Sequence, residues 1–130
     1  MVWFKVDDDL AFHAKAIRAG NTAMGVWVRA GSHCGNQLTD GFIDREVALT
    51  IGRTADIKRL VDAGLWEPAT VEGRAGWRFH DFLERNPSRE EVEKKRQEEA
   101  DRKAAWRAKR AAARAGRDEG QAPDSPGTDT

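Results

Sequence analysis

Residues 44–64, Asp44-Arg45-Glu46-Val47-Ala48-Leu49-Thr50-Ile51-Gly52-Arg53-Thr54-Ala55-Asp56-Ile57-Lys58-Arg59-Leu60-Val61-Asp62-Ala63-Gly64, decide the fold. Asp44 can cap a short helix over Arg45 to Ile51, with Val47, Ala48 and Ile51 facing inward. Gly52-Arg53 breaks the periodicity. Thr54 is the expected cap of a second helix, whose buried side is Ile57, Leu60 and Val61 and whose end is Gly64. Two short helices joined by a tight glycine turn have the shape of a helix-turn-helix.

Downstream, Leu65-Trp66-Glu67 and Gly76-Trp77-Arg78-Phe79-His80 are short β-prone pieces around a polar connection, Glu72 to Gly76. They predict a β-hairpin directly after the helix pair. Upstream, Ala23, Trp27, Ala30 and Cys34 form a stripe with Met24 and Val28 beside it, behind Asn21 and Thr22 as cap candidates. That stripe predicts a central buried helix ending at Gly35-Asn36. Leu38 to Ile43 is a turn-rich bridge. Before it, Leu10, Ala14 and Ile17 predict a short first helix stopped by Gly20, with Asp7-Asp8-Asp9 at its favourable end. Val2 to Val6 reads as a strand or an extended lead-in.

Beyond Asn86-Pro87 the character changes. Residues 89–130 hold no Phe, Leu or Ile, and only Val92 and Trp106 as large apolar groups. The core is therefore built within the first 86 residues, enough for a small domain. Ser88-Arg89-Glu90-Glu91 is a capping-box pattern. Glu90–Lys94, Glu91–Lys95, Glu98–Arg102 and Glu99–Lys103 are i,i+4 pairs in the favourable order, and with the alanines they predict a solvent-exposed helix. There is no apolar heptad for a coiled coil. The expected organisation is a domain over 1–86, a charged helix over 87–116 closed by Gly116, and a disordered acidic tail over 117–130.

Net charge is zero, but the charge is sorted. Residues 1–88 carry 11 Lys/Arg against 12 Asp/Glu, and residues 89–101 carry 4 against 6. Residues 102–117 carry seven bases and no acid, and 118–130 carry four acids and no base. Block charge of this kind implies an electrostatic partner. Cys34 is alone, which excludes a disulfide framework and a paired-cysteine metal site. No apolar run approaches the ~20 residues that span a bilayer. A soluble chain of a reducing, cytoplasmic compartment is expected.

Taken in order, Trp3-x-Lys5-Val6-Asp7-Asp8, His13-x-Lys15, Leu38-Thr39-Asp40-Gly41-x-Ile43, Leu60-Val61-x-Ala63-Gly64-Leu65-Trp66, Phe79-His80-Asp81-Phe82-Leu83-Glu84 and Asn86-Pro87-Ser88 form a recognisable set. Over about residues 2–90 it resembles the small helix-turn-helix proteins of actinobacterial phages and prophages. Their N-terminal domain is similar to that of phage replication-initiation and replisome-organiser proteins. Members of that family usually place a proline after the histidine, where this chain has Ala14. The resemblance implies a winged-helix fold and binding of double-stranded DNA, in replication initiation or transcriptional regulation within a bacterial host.

The fold class expected is thus mainly α with a small β-hairpin: a winged helix-turn-helix, a long charged C-terminal helix and a disordered tail. Candidate DNA contacts are Arg53, Thr54, Lys58 and Arg59 on the second helix of the pair, since these types bond phosphates and base edges in a major groove. Asp56 and Asp62 on the same helix oppose phosphate. Arg74 at the hairpin tip and Arg78 on its return strand are candidates for backbone or minor-groove contact. Arg102, Lys103, Arg107, Lys109, Arg110 and Arg114 form the basic arm, whose reward is counterion release. Trp106 within it suits base stacking or an anchor in a protein groove. His13, His33, His80 and Cys34 match no zinc spacing. Asp7-Asp8-Asp9 reads as helix-terminal charge rather than a magnesium site. No phosphate loop and no nucleophile with a base is found, so no enzyme, metal or cofactor is expected. The near-neutral first 88 residues keep a second reading open: a module that binds a host or replisome protein.

Overall fold

The computed structural model describes residues 2–120 of the 130. They divide into two units, residues 1–91 and residues 92–130, each treated by itself. The first contains helices α1 (Ala14–Ala19), α2 (Asn21–Gln37), α3 (Arg45–Ile51), α4 (Thr54–Asp62) and α5 (Phe82–Arg85). It also holds strands β1 (Phe42–Asp44), β2 (Trp66–Val71) and β3 (Arg74–Phe79). The long helix α6, Arg89–Gly120, begins in it and makes up the described part of the second.

The helix pair forms where its caps and periodicity place it. Asp44 Oδ1 accepts the backbone N–H of Glu46 at 2.8 Å and so starts α3, which buries Ala48. In α4 the cap differs from the expectation. Thr54 is the first helical residue, and the N–H before it, that of Arg53, is taken by the Asp56 carboxylate at 3.3 Å. Asp56 is thereby turned inward and buried beside Ile57 and Leu60. A carboxylate at the third helical position is favourable there both as an acceptor and by the helix dipole.

The hairpin is longer than its β-prone pieces. Trp66 pairs with Phe79 and Val71 with Arg74, around a two-residue turn in which Glu72 (φ 52°) and Gly73 (φ 78°) are both left-handed. Such a turn matches strand twist, so pairing continues to the last residue on either side. Arg74 and Ala75, expected in the connection, are therefore strand, as is Gly76 at the head of the second β-prone piece. β1 adds to the other edge of β3, with Phe42 opposite Arg78, Ile43 opposite Trp77 and Asp44 opposite Gly76, in sheet order β1-β3-β2. A Cβ on Gly76 would collide with the Ile43 carbonyl oxygen. The bare glycine is what lets β1 approach.

Ile43, Leu60, Trp66 and Cys34 are the largest fully buried side chains, packed with Ala19, Ala23, Ala30, Ile57 and Phe79. In α2 the deeply buried positions are Ala23, Val26, Ala30, Gly31 and Cys34, while Trp27 and Met24 are half-buried and Val28 faces out. Small residues on that face let α2 and α4 pack closely. The helix runs past Gly35-Asn36 to Gln37, and Asn21 and Thr22 lie inside it behind an uncapped Gly20.

The N-terminal segment forms no strand. Residues 2–6 belong to no helix or sheet, and Phe4 joins an aromatic cluster with ring centroids 5.0 Å from Trp27, 5.9 Å from Phe79 and 6.1 Å from Phe82. A Cβ on Gly31 would run into the Phe4 ring, so that glycine is the seat of the ring. Asp7–Asp9 precede a 3-10 turn, Leu10–Phe12, and α1 starts only at Ala14, with His13 Nδ1 accepting the Lys15 N–H at 3.2 Å. Ile17 consequently faces solvent.

At the head of α6, Ser88 Oγ accepts the N–H of Glu91 at 3.1 Å, and Asp40 Oδ1 accepts that of Arg89 at 2.6 Å. The helix passes through Gly116 without a break and reaches Gly120. The tail expected over 117–130 therefore gives four residues to α6, and from residue 121 it lies outside the described residues. Among the described residues no helix is long and apolar enough to cross a membrane.

Candidate nucleic-acid interface

The cations expected to meet DNA fall into two electrically different groups. Thr54, Lys58 and Arg59 of α4, and Arg53 at its N-cap, are exposed, whereas Ile57 and Leu60 are buried. Yet Arg53 Nε lies 3.5 Å from Asp56, and Lys58 Nζ is 2.8 Å from Asp62. On β3, Arg74 reaches back 3.6 Å to Asp44 rather than pointing off the hairpin tip. Arg78 is exposed and stands directly across from Glu67 in β2. Of these, Lys58–Asp62 is exposed on both sides and contributes about 0–1 kcal/mol, while the acids facing Arg53 and Arg74 are buried or half-buried; in each case the positive charge stands beside a negative one.

The second group lies on α6. At 100° per residue the seven bases of 102–117 fall within an arc of about 160°. Ala104, Ala108, Ala111 and Ala115 run down the opposite side, with Ala105 and Ala112 beside them. Trp106 sits near the middle of the basic arc. It is 58% exposed, with the Arg110 guanidinium 4.9 Å from its ring centroid. Arg102 is 3.9 Å from Glu99, three residues back. Lys103, Arg107 and Lys109 are exposed on the same helix. The sorting of charge around the helix, as well as along it, is present in the spacing, and emerges once the segment is known to be one unbroken helix.

The remaining sequence motifs gather elsewhere. Lys5, Asp7, His13, Lys15, His80 and Asn86 line one cleft of the first unit, floored by Phe4, Trp27, Phe79 and Phe82. Its polar groups are largely tied to each other. The Lys5 N–H donates to Asn86 Oδ1 at 2.8 Å, Arg85 pairs with Asp7 at 2.9 Å, and His80 Nε2 lies 2.9 Å from Asp81. Asp7 is held below the usual carboxylate range, first by the Asp9 carboxyl when that group carries the proton, then by the Asp9 backbone N–H, which donates to Asp7 Oδ1, with the Arg85 charge adding to them. These residues fasten the N-terminal segment across the aromatic core.

The titratable groups considered for metal do not converge as a His/Cys set. Cys34 is buried with its Sγ donating to the Phe42 carbonyl at 3.4 Å, and burial pushes its thiol up to about 11. Asp7, Asp8 and Asp9 do bring one carboxylate oxygen each within 4.8 Å of one another, but Asp7 is already engaged with Arg85. Compared with protein-family models, with curated proteins and with solved structures, the sequence and its fold find no match.

Proposed function

We propose that this chain is a DNA-binding protein of winged-helix type, in which α4 and the β2–β3 hairpin supply the docking geometry and the basic face of α6 supplies most of the attraction. The observation that carries the reading is the clustering of seven bases, with no acid among them, on one face of α6. Neutralising phosphates with such a face releases condensed counterions, a gain that needs no particular base sequence. The order helix, strand, helix, helix, hairpin from α2 to β3 supports the winged-helix part, because it is the order such a fold would have with α4 as the second helix of the pair. The resemblance of residues 2–90 to small phage and prophage proteins supports a role in replication initiation or transcriptional regulation in a bacterial cytoplasm, without catalysis.

The test is a salt titration of duplex binding by the full chain. Log Kobs should fall steeply with log salt. Changing Lys103, Arg107, Lys109 and Arg110 together to Gln should flatten that slope by about 3 to 4, near 0.9 for each phosphate that no longer meets a cation. Absence of duplex binding at micromolar protein in low salt sinks the proposal.

A second reading is favoured by the first unit: a protein-interaction module. Three of its candidate cations are already paired, and Phe12 (88% exposed) and Trp3 (71%) offer apolar contacts instead. Capture of a partner protein that survives nuclease treatment, together with failure of duplex binding, selects this reading.

A further inference from the structure

We propose that the basic face of α6 is a binding site for single-stranded DNA, with Trp106 as the platform on which an unpaired base stacks. The proposal rests on the nucleic-acid reading of α6 given above, and goes beyond it in the form of DNA and in the residue that selects it. Bases on a helix attract any polyanion, single or double stranded. Trp106 discriminates. It stands amid the cations, not on the alanine side, so it joins no apolar face that a membrane surface or a coiled-coil partner would cover. It is 58% exposed, and the group seated over its ring is the Arg110 guanidinium. A duplex keeps its base faces stacked inside and offers the indole nothing that the cations do not already take. An unpaired strand presents base faces and phosphates together, and stacking on an aromatic side chain is tolerant of base identity. Arg102, Arg110 and Arg117 lie on the same side of the helix on either side of Trp106, over a length of about 22 Å, so the phosphates flanking a stacked base also meet charge.

The experiment is equilibrium binding of the full chain, by fluorescence anisotropy at fixed salt, to three labelled probes: a twelve-nucleotide oligothymidine, an abasic strand of equal length, and a twelve-base-pair duplex. Oligothymidine should bind about tenfold more tightly than the abasic strand, in the range of one stacked base. Trp106→Ala should remove that margin and leave the other two affinities unchanged, whereas Trp106→Phe should retain most of it. Because Trp106 is exposed and alanine favours helix, the variant keeps its fold, which circular dichroism verifies. Equal affinity for oligothymidine and abasic strands overturns the proposal, as does an equal loss on all three probes when Trp106 is replaced. The duplex arm keeps the two ideas apart. If duplex binding is absent while the Trp106-dependent margin persists, the winged-helix reading fails and this one stands. If Lys58→Gln/Arg59→Gln weakens duplex binding while Trp106→Ala does nothing, the reverse holds.

Discussion

The first unit and the 102–117 stretch of α6 carry charge in opposite ways. In the first unit four of the candidate cations stand beside or across from acids: Arg53 with Asp56, Lys58 with Asp62, Arg74 with Asp44, Arg78 across from Glu67. In α6 the bases of 102–117 have no acid among them and share one side of a helix. The unit with the elaborate shape mixes bases and acids, and the stretch whose charges are all of one sign is a single helix. Shape and charge are the two requirements of DNA recognition, the one giving register and the other affinity. On the DNA-binding reading proposed above, they would reside in separate parts of the chain.

That division can be broken by measurement, and the largest effect is expected on α6. The fourfold change of Lys103, Arg107, Lys109 and Arg110 to Gln should weaken duplex binding on the order of a hundredfold, about 3 kcal/mol, near 0.1 M salt. Arg53→Gln and Arg74→Gln together should cost less than about fivefold, because each cation is already partnered by an acid. A larger loss from the second pair would put the attraction back in the first unit. Next comes the packing that gives this unit its shape. Phe4→Ala empties the ring seat over Gly31 and should destabilise it by about 2–3 kcal/mol in urea unfolding. A loss under about 1 kcal/mol would show that the N-terminal segment does not close the core. Asp56→Ala removes the acceptor that starts α4 and should cost about 1 kcal/mol. Unchanged stability combined with stronger DNA binding would mean that this acid acts on phosphate and not on the helix. The smallest effect belongs to Lys58→Ala, whose exposed pair with Asp62 should contribute under about 0.5 kcal/mol.

The helix pair is legible almost to the residue, because caps and 3.6-residue spacing act within a few positions along the chain. Arg45–Ile51 and the start of the next helix at Thr54 require no knowledge of neighbours. β1 is not legible. Three residues after Thr39-Asp40-Gly41 form a strand only because β3 is there to receive them, and Gly76 is where they meet. Asp56 hides its role for a similar reason. Its spacing puts it on the charged helix, but its cap bond to Arg53 turns it into the interior. The N-terminal residues look like a strand from their β-prone side chains, yet they pair with no sheet edge and are anchored by Phe4 instead.

For the candidate site the same boundary holds. The basic block and Trp106 are visible in the sequence, as is the helix that carries them, since alanine content and i,i+4 charge pairs stabilise a helix without any neighbour. How those bases share one side follows from helical geometry alone. What only the tertiary structure decided is which charges of the first unit remain to face outward. Arg74 is drawn to Asp44 because β1 docks beside β3, a pairing of residues far apart in the chain that no local pattern encodes.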